Sequence, residues 1–207
     1  MSRDMVADKE ERRARFFDER ADGWEEKCYP GPVRERLWPM VERFALPVGG
    51  SVLDMGTGPG TLIPYLRRAI GPEGWITAFD ASPRMVEMAA RKCADSRTRT
   101  LCASAMDMPF EAASFDAVIC FAAFPHFTDK GQALREMARV ARSGAHIVIA
   151  HLLGRNQLEA HHGTHPAVAD DLLPDDATMR ELFARAGLPE PELTSLENYY
   201  EAHVNKS

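Results

Sequence analysis

The sequence predicts an α/β fold, a Rossmann-like and mostly parallel sheet with helices on both faces, and three observations carry that expectation. From Pro47 onward, short apolar runs alternate with amphipathic segments, the signature of βα units. A glycine-rich turn, Gly56 to Gly60, separates the first apolar run from the first amphipathic segment. An acidic residue, Asp80, follows the second apolar run, twenty residues after Gly60.

Before Pro47, Phe16, Phe17, Trp24, Val33, Leu37, Trp38, Val41 and Phe44 recur at helical spacing, and Cys28-Tyr-Pro-Gly-Pro32 interrupts them. Residues 1–46 are therefore expected to form two helices, a lid packed outside the main core of a domain over 47–207. Ser51–Met55 is the first strand, and 62–70 is its helix, with an apolar stripe of Leu62, Ile63, Leu66, Ala69 and Ile70. Thr61 is the expected N-cap, which leaves Pro64 in the first turn, where a missing N–H costs little. Residues 75–79 form the second strand; Ser82 then caps a helix opened by Pro83 and running to about Cys93. Strands follow at 99–103 and 116–121, then a helix at 132–142 ending before Ser143-Gly144, then a fifth strand at 146–152. Residues 154–174 have weak periodicity and predict an irregular substrate loop, about 153–175. Asp175 or Asp176 caps a last helix to Gly187, and 192–204 supplies two terminal strands, with an antiparallel C-terminal strand expected.

Composition narrows the function. At 207 residues, with 45% hydrophobic and 27% charged, the chain has the make-up of one soluble domain, or of one with a small appendage. The longest apolar run, 117–124, falls well short of the ~20 residues of a membrane span. The charged N-terminal residues contain no signal-peptide core, so a cytoplasmic location is expected. Cys28, Cys93, Cys102 and Cys120 form no CxxC pair and fit reduced thiols. The 25 basic against 31 acidic residues disfavour a nucleic-acid partner.

The turn Val52-Leu-Asp-Met-Gly-Thr-Gly-Pro-Gly60 carries the chemistry. Glycine lets a ligand approach the backbone without a Cβ in the way, and the helix beyond offers free N–H groups. Asp80, at the end of the second strand, is placed to accept from ribose hydroxyls. The spacing is GxGxG with Asp54 two residues ahead, not the dinucleotide GxGxxG, which favours S-adenosylmethionine over NAD. Neither Tyr-x-x-x-Lys nor a P-loop Gly-Lys-Ser/Thr occurs.

Four motifs then resemble, in order, those of the class I S-adenosylmethionine-dependent methyltransferases, in particular the small-molecule branch that includes the ubiquinone/menaquinone C-methylases. They are Asp54-Met-Gly-Thr-Gly-Pro-Gly60, Phe79-Asp-Ala-Ser-Pro-Arg-Met85, Ser104-Ala-Met-Asp-Met-Pro-Phe110 and Leu134 to Gly144, and the resemblance covers about residues 16–149. It implies a cofactor site built from Asp54, Gly56, Thr57, Gly58 and Gly60, with Asp80 on the ribose and Ala81 and Met85 near adenine. Ser104, Ala105 and Met106 would form the adenine edge, and Phe121 would lie below the sulfonium. Ser104 stands where relatives usually carry an Asp that accepts from the adenine amino group. Phe16 to Trp24 resembles the family's lid, with Tyr29 and Trp24 as candidate aromatic walls over the cofactor; Tyr29 is favoured for that role, and docking of the lid is favoured for Phe16, Phe17 and Trp24. The implied reaction is methyl transfer to a small molecule, leaving S-adenosylhomocysteine.

Histidine is the natural proton acceptor near neutral pH, and His126 and His151 fall at the carboxyl edge of the sheet. His126 also resembles a histidine common in the family at that turn. His161, His162 and His165 are candidates for contact with the acceptor, or for gripping a metal-bearing one. A non-catalytic S-adenosylmethionine-binding sensor or partner subunit is the alternative from another class.

Overall fold

A computed structural model describes residues 3–93, 95–163 and 168–207. The N-terminal region is α1 (Arg3–Asp18), α2 (Trp24–Cys28), α3 (Gly31–Arg34) and α4 (Leu37–Arg43). The remainder runs β1 (Ser51–Met55), α5 (Ile63–Ile70), β2 (Trp75–Asp80), α6 (Pro83–Ala90), β3 (Thr98–Cys102) and β4 (Phe115–Phe121). A 3₁₀ turn (Phe124–His126) then leads to α7 (Lys130–Val140), β5 (Ala141–His151), α8 (Arg155–His162), α9 (Asp176–Arg185), β6 (Glu192–Leu196) and β7 (Tyr199–Asn205).

The strands form one sheet in the order β3-β2-β1-β4-β5-β7-β6. The first five are parallel, and β7 runs antiparallel to both β5 and β6, so the expected α/β class and its antiparallel end are observed. Alternation along the strands divides the core in two. Leu53, Val118, Ile147 and Ile149 face α7 and α9, whereas Val52, Ile119 and Val148 face α4 and α5. The direction of winding reverses between β1 and β4, and in such sheets ligands bind beyond the carboxyl ends at this reversal.

Several elements differ from expectation. The N-terminal region makes four helices, not two, and α4 belongs to the core: Leu37, Met40, Val41 and Phe44 are buried against Val52, Leu66 and Ile76. A parallel sheet must be covered on both faces, and α4 shares that task with α5. Thr61 does not cap α5, which starts at Ile63 after Leu62. Helix α7 begins earlier, where the Asp129 carboxylate accepts from the Gln132 N–H, and ends at Val140. Residues 142–144 belong to β5, because the Gly144 N–H is taken by the Lys206 carbonyl. The expected irregular loop contains α8, whose buried positions, Leu158 and His162, are four residues apart; a histidine in the apolar stripe masks the period.

Candidate active site

The turn after β1 is built by three glycines that do three different things. All have positive φ, +66° at Gly56, +54° at Gly58 and +78° at Gly60, a conformation that side chains disfavour. A Cβ at Gly56 would overlap the Ala123 methyl group, and one at Gly60 would lie 2.9 Å from the Ala89 backbone of α6. Those two positions let the loop after β4 and helix α6 approach. A Cβ at Gly58 would meet nothing within 4 Å, since this residue faces a cavity of about 520 Å³. Gly56, Thr57 and Gly58 line that cavity. Asp54 and Gly60, both expected to touch the cofactor, are not on the cavity wall: Asp54 is buried under the turn and takes the Thr57 hydroxyl at 2.7 Å. Burial pushes the Asp54 carboxyl up to about 7, against the Thr57 hydrogen bond and with help from the charge of Asp80.

Asp80 lines the cavity from the end of β2. One carboxylate oxygen accepts from the Gly58 N–H and the other from the Ser82 N–H, each at 2.9 Å, which ties the glycine turn to the start of α6. Burial raises its pKa, and the backbone donors of Ser82, Gly58 and Ala81 oppose the rise. Ala81, Met85, Ala105, Met106 and Phe121 line the same cavity. Ser104 is not on its wall. The Ser104 hydroxyl donates to Glu10 Oε1 at 2.5 Å and accepts from the Met106 N–H at 3.1 Å, and Glu10, from α1, lines the cavity instead.

Helix α1 and α2 close the opposite side. Tyr29 lines the cavity with its ring centre 5.8 Å from that of Phe121, and burial raises its phenol pKa. Phe16 and Phe17, expected to dock the lid, also reach the cavity wall, as does Trp24, the other candidate aromatic wall. The Phe17 ring meets Trp24 at 5.5 Å and His126 at 4.9 Å, both edge to face.

The histidines gather where α1, the turn after β4 and the segment after α8 meet. His126 Nδ1 lies 2.8 Å from Asp171 Oδ2, and Arg13 of α1 grips the same carboxylate through Nε and Nη2. Burial opposes ionisation of Asp171, but His126 and Arg13 outweigh it and hold the carboxyl at about 2. Burial also lowers the pKa of His126, against the pull of Asp171, so this imidazole is neutral at pH 7. With an anionic Asp171 beside it, Nδ1 carries the proton and Nε2 the lone pair. His151 lines the cavity, 1% exposed; among the described residues neither ring nitrogen has a hydrogen-bond partner, and burial brings its pKa down to about 3. His161 and His162 also reach the wall, His162 with Nδ1 2.6 Å from the Asp171 carbonyl. His165 lies outside the described residues. Among those described, no group of three His, Cys, Asp or Glu side chains is arranged to hold a metal ion.

The sequence reading missed Glu10, Arg13 and Asp171. Their only local signal is charge on segments of mixed composition, and Arg13 meets Asp171 across 158 residues. It also missed Asp18, whose carboxylate accepts from the Ser82 hydroxyl and the Arg84 N–H, each at 2.8 Å, and so fixes the end of α1 to the start of α6.

The cavity suits S-adenosylmethionine. Gly58 leaves an open cradle, Asp80 offers a carboxylate, and the Thr61 hydroxyl and His151 imidazole on the wall, both more than nine-tenths buried, lack hydrogen-bond partners among the described residues. A buried orphan costs about 1 to 3 kcal/mol, which a bound polar molecule offsets.

Comparison with known proteins points the same way. Residues 53–149 match a family model described as a methyltransferase domain. The chain is 32% identical over 120 residues to the ubiquinone/menaquinone biosynthesis C-methyltransferase UbiE of Hahella chejuensis, covering 55% of this chain and 48% of that protein. It is 35% identical over 105 residues to a demethylmenaquinone methyltransferase of Thermotoga maritima, covering 51% and 44% respectively. The chain thus spans about half the length of the curated relatives it matches. Its fold is similar, with a TM-score of 0.71 at 19% identity, to a SAM-dependent methyltransferase from Aquifex aeolicus, over 94% of this chain and 98% of the other. The resemblance found in the sequence is borne out.

Proposed function

We propose that this chain, whose residues 53–149 match a methyltransferase domain, transfers a methyl group from S-adenosylmethionine to a small-molecule acceptor in the cytoplasm, with His126 taking the acceptor's proton. The observation that carries this reading is His126, paired behind the wall with Asp171, on the cavity that also holds Gly58 and Asp80. S-adenosylmethionine, when bound, supplies a methyl group already activated by its sulfonium. Gly56, Thr57 and Gly58 would hold its amino-acid end and Asp80 its ribose.

The remaining tasks fall to this chain's own side chains. The wall is mostly apolar and aromatic, with Phe17, Trp24, Tyr29, Phe121 and Leu152, so it excludes water and favours an apolar or aromatic acceptor. Holding the acceptor in line is worth up to roughly 7 to 11 kcal/mol of the barrier. Asp171 orients the His126 ring and stabilises the imidazolium that forms when Nε2 receives a proton. Arg13 holds Asp171 from α1, so the base is complete only with that helix in place.

Incubation of the chain with methyl-labelled S-adenosylmethionine and a small-molecule fraction of a cell extract tests the proposal. The label is expected in a low-molecular-mass product, whereas label found only in protein or nucleic acid would overturn the assignment of the acceptor. For H126Q the expected result is a turnover lower by roughly 100-fold or more with S-adenosylhomocysteine affinity retained.

A further inference from the structure

The carboxyl ends of β3, β2 and β1 lie side by side in the sheet. Gly58 follows β1, Asp80 ends β2, and Ala103, Ala105 and Met106 follow β3, all on the wall of one cavity. A nucleoside with its ribose on Asp80 and its 5′ substituent over Gly58 therefore directs its base away from β1, across the residues that follow β3. The wall there is apolar and suits the faces of a purine, but the edge of the base needs a polar partner. The Ser104 hydroxyl is already committed, with its proton on Glu10 Oε1 at 2.5 Å and the Met106 N–H as its donor at 3.1 Å. Glu10 lines the cavity.

We propose that Glu10, carried on α1, accepts the exocyclic amino group of the bound adenine, with the Ser104 hydroxyl positioning its carboxylate. This assignment rests on the reading of the cavity as an S-adenosylmethionine site. A carboxylate only accepts hydrogen bonds, so Glu10 selects a base that bears a donor at this edge and rejects one that bears an oxo group. The recognition is supplied by a helix remote in sequence from the sheet, and Glu10 and Ser104 are 94 positions apart. Nucleoside binding consequently fastens α1 over the cavity, alongside the Arg13 grip on Asp171.

Calorimetric titration with S-adenosylhomocysteine and with S-inosylhomocysteine, in which an oxo group replaces the amino group, tests the assignment. The unmodified chain should prefer the adenosyl compound by roughly tenfold to a hundredfold, as expected for one hydrogen bond to a charged group. In E10A that preference should fall to near one. E10Q, whose amide both donates and accepts, should bind the inosyl compound more tightly than the unmodified chain does. An equal preference in the unmodified chain and E10A, or no preference in the unmodified chain, would overturn the role of Glu10 while leaving the cofactor site intact. Failure of S-adenosylhomocysteine itself to bind would overturn the cofactor reading, and this assignment with it.

Discussion

His126, partly buried, and His151, fully buried, both line the cavity, yet their surroundings give them different chemistry. His126 has an ionised partner in Asp171, whereas His151 has no hydrogen-bond partner among the described residues and is held at about 3. A proton acceptor must be neutral before reaction and stabilised after it, and of the two only His126 has a carboxylate to stabilise its charged form. Burial lowers the His126 pKa, so kcat/KM is expected to rise with pH through a value below 6.5 and then level off. H126Q should flatten that limb; an unchanged pH profile would assign the proton to another group. At this scale the sequence located His126 and Asp80 from their places at strand ends. Asp171 escaped it because a carboxylate in an irregular segment looks solvated until Arg13 and His126 are folded against it.

Strands β1, β2 and β4 were legible because each is a short apolar run bounded by turn residues, and the glycine turn because its spacing is local. Helix α8 was not, since its buried face includes His162, nor was the burial of α4, whose partners Val52 and Ile76 lie on strands formed later in the chain. The glycine turn itself gives an element-scale prediction, because its residues share a backbone conformation but not a neighbourhood. G56A should destabilise the fold by about 2 to 5 kcal/mol, the sum of left-handed strain and overlap with Ala123. G58A should cost only about 1 to 2 kcal/mol of stability, since its methyl enters open space, but should weaken S-adenosylhomocysteine binding more than tenfold. Urea unfolding and calorimetry on the two variants check the contrast. Equal loss of stability with equal retention of binding would remove the turn from the site.

For the molecule as a whole, polar contacts of the described residues fasten α1 to the body through Asp18 on α6, Arg13 on Asp171 and Glu10 on Ser104. Each joins segments more than sixty positions apart, so the closed cavity is a property of the complete fold. The fold also buries His151 at the end of β5, and that has a cost in acid. The unfolded chain protonates this imidazole near 6.5 and the folded chain only near 3, so between those values the unfolded state binds more protons. The contribution of His151 to stability should therefore be full above pH 6.5 and fall as pH drops, by roughly 1 kcal/mol per pH unit. Asp171, held at about 2, adds a further loss only below its ordinary value of 3.8. Asp54, held up at about 7, takes up a proton in the folded chain and offsets the loss from His151 over the same range, so the comparison with H151Q carries the test. From pH 7 to 4.5 the urea midpoint of the unmodified chain should fall relative to that of H151Q, and parallel profiles would place the titrating group elsewhere.

No measurement bears on the central claim more directly than a crystal structure of the chain grown with S-adenosylhomocysteine. The expected density lies in the cavity, with ribose hydroxyls on the Asp80 carboxylate and the homocysteine end over Gly58. Density for the compound elsewhere, or a cavity filled only by water at saturating concentration, would contradict the account.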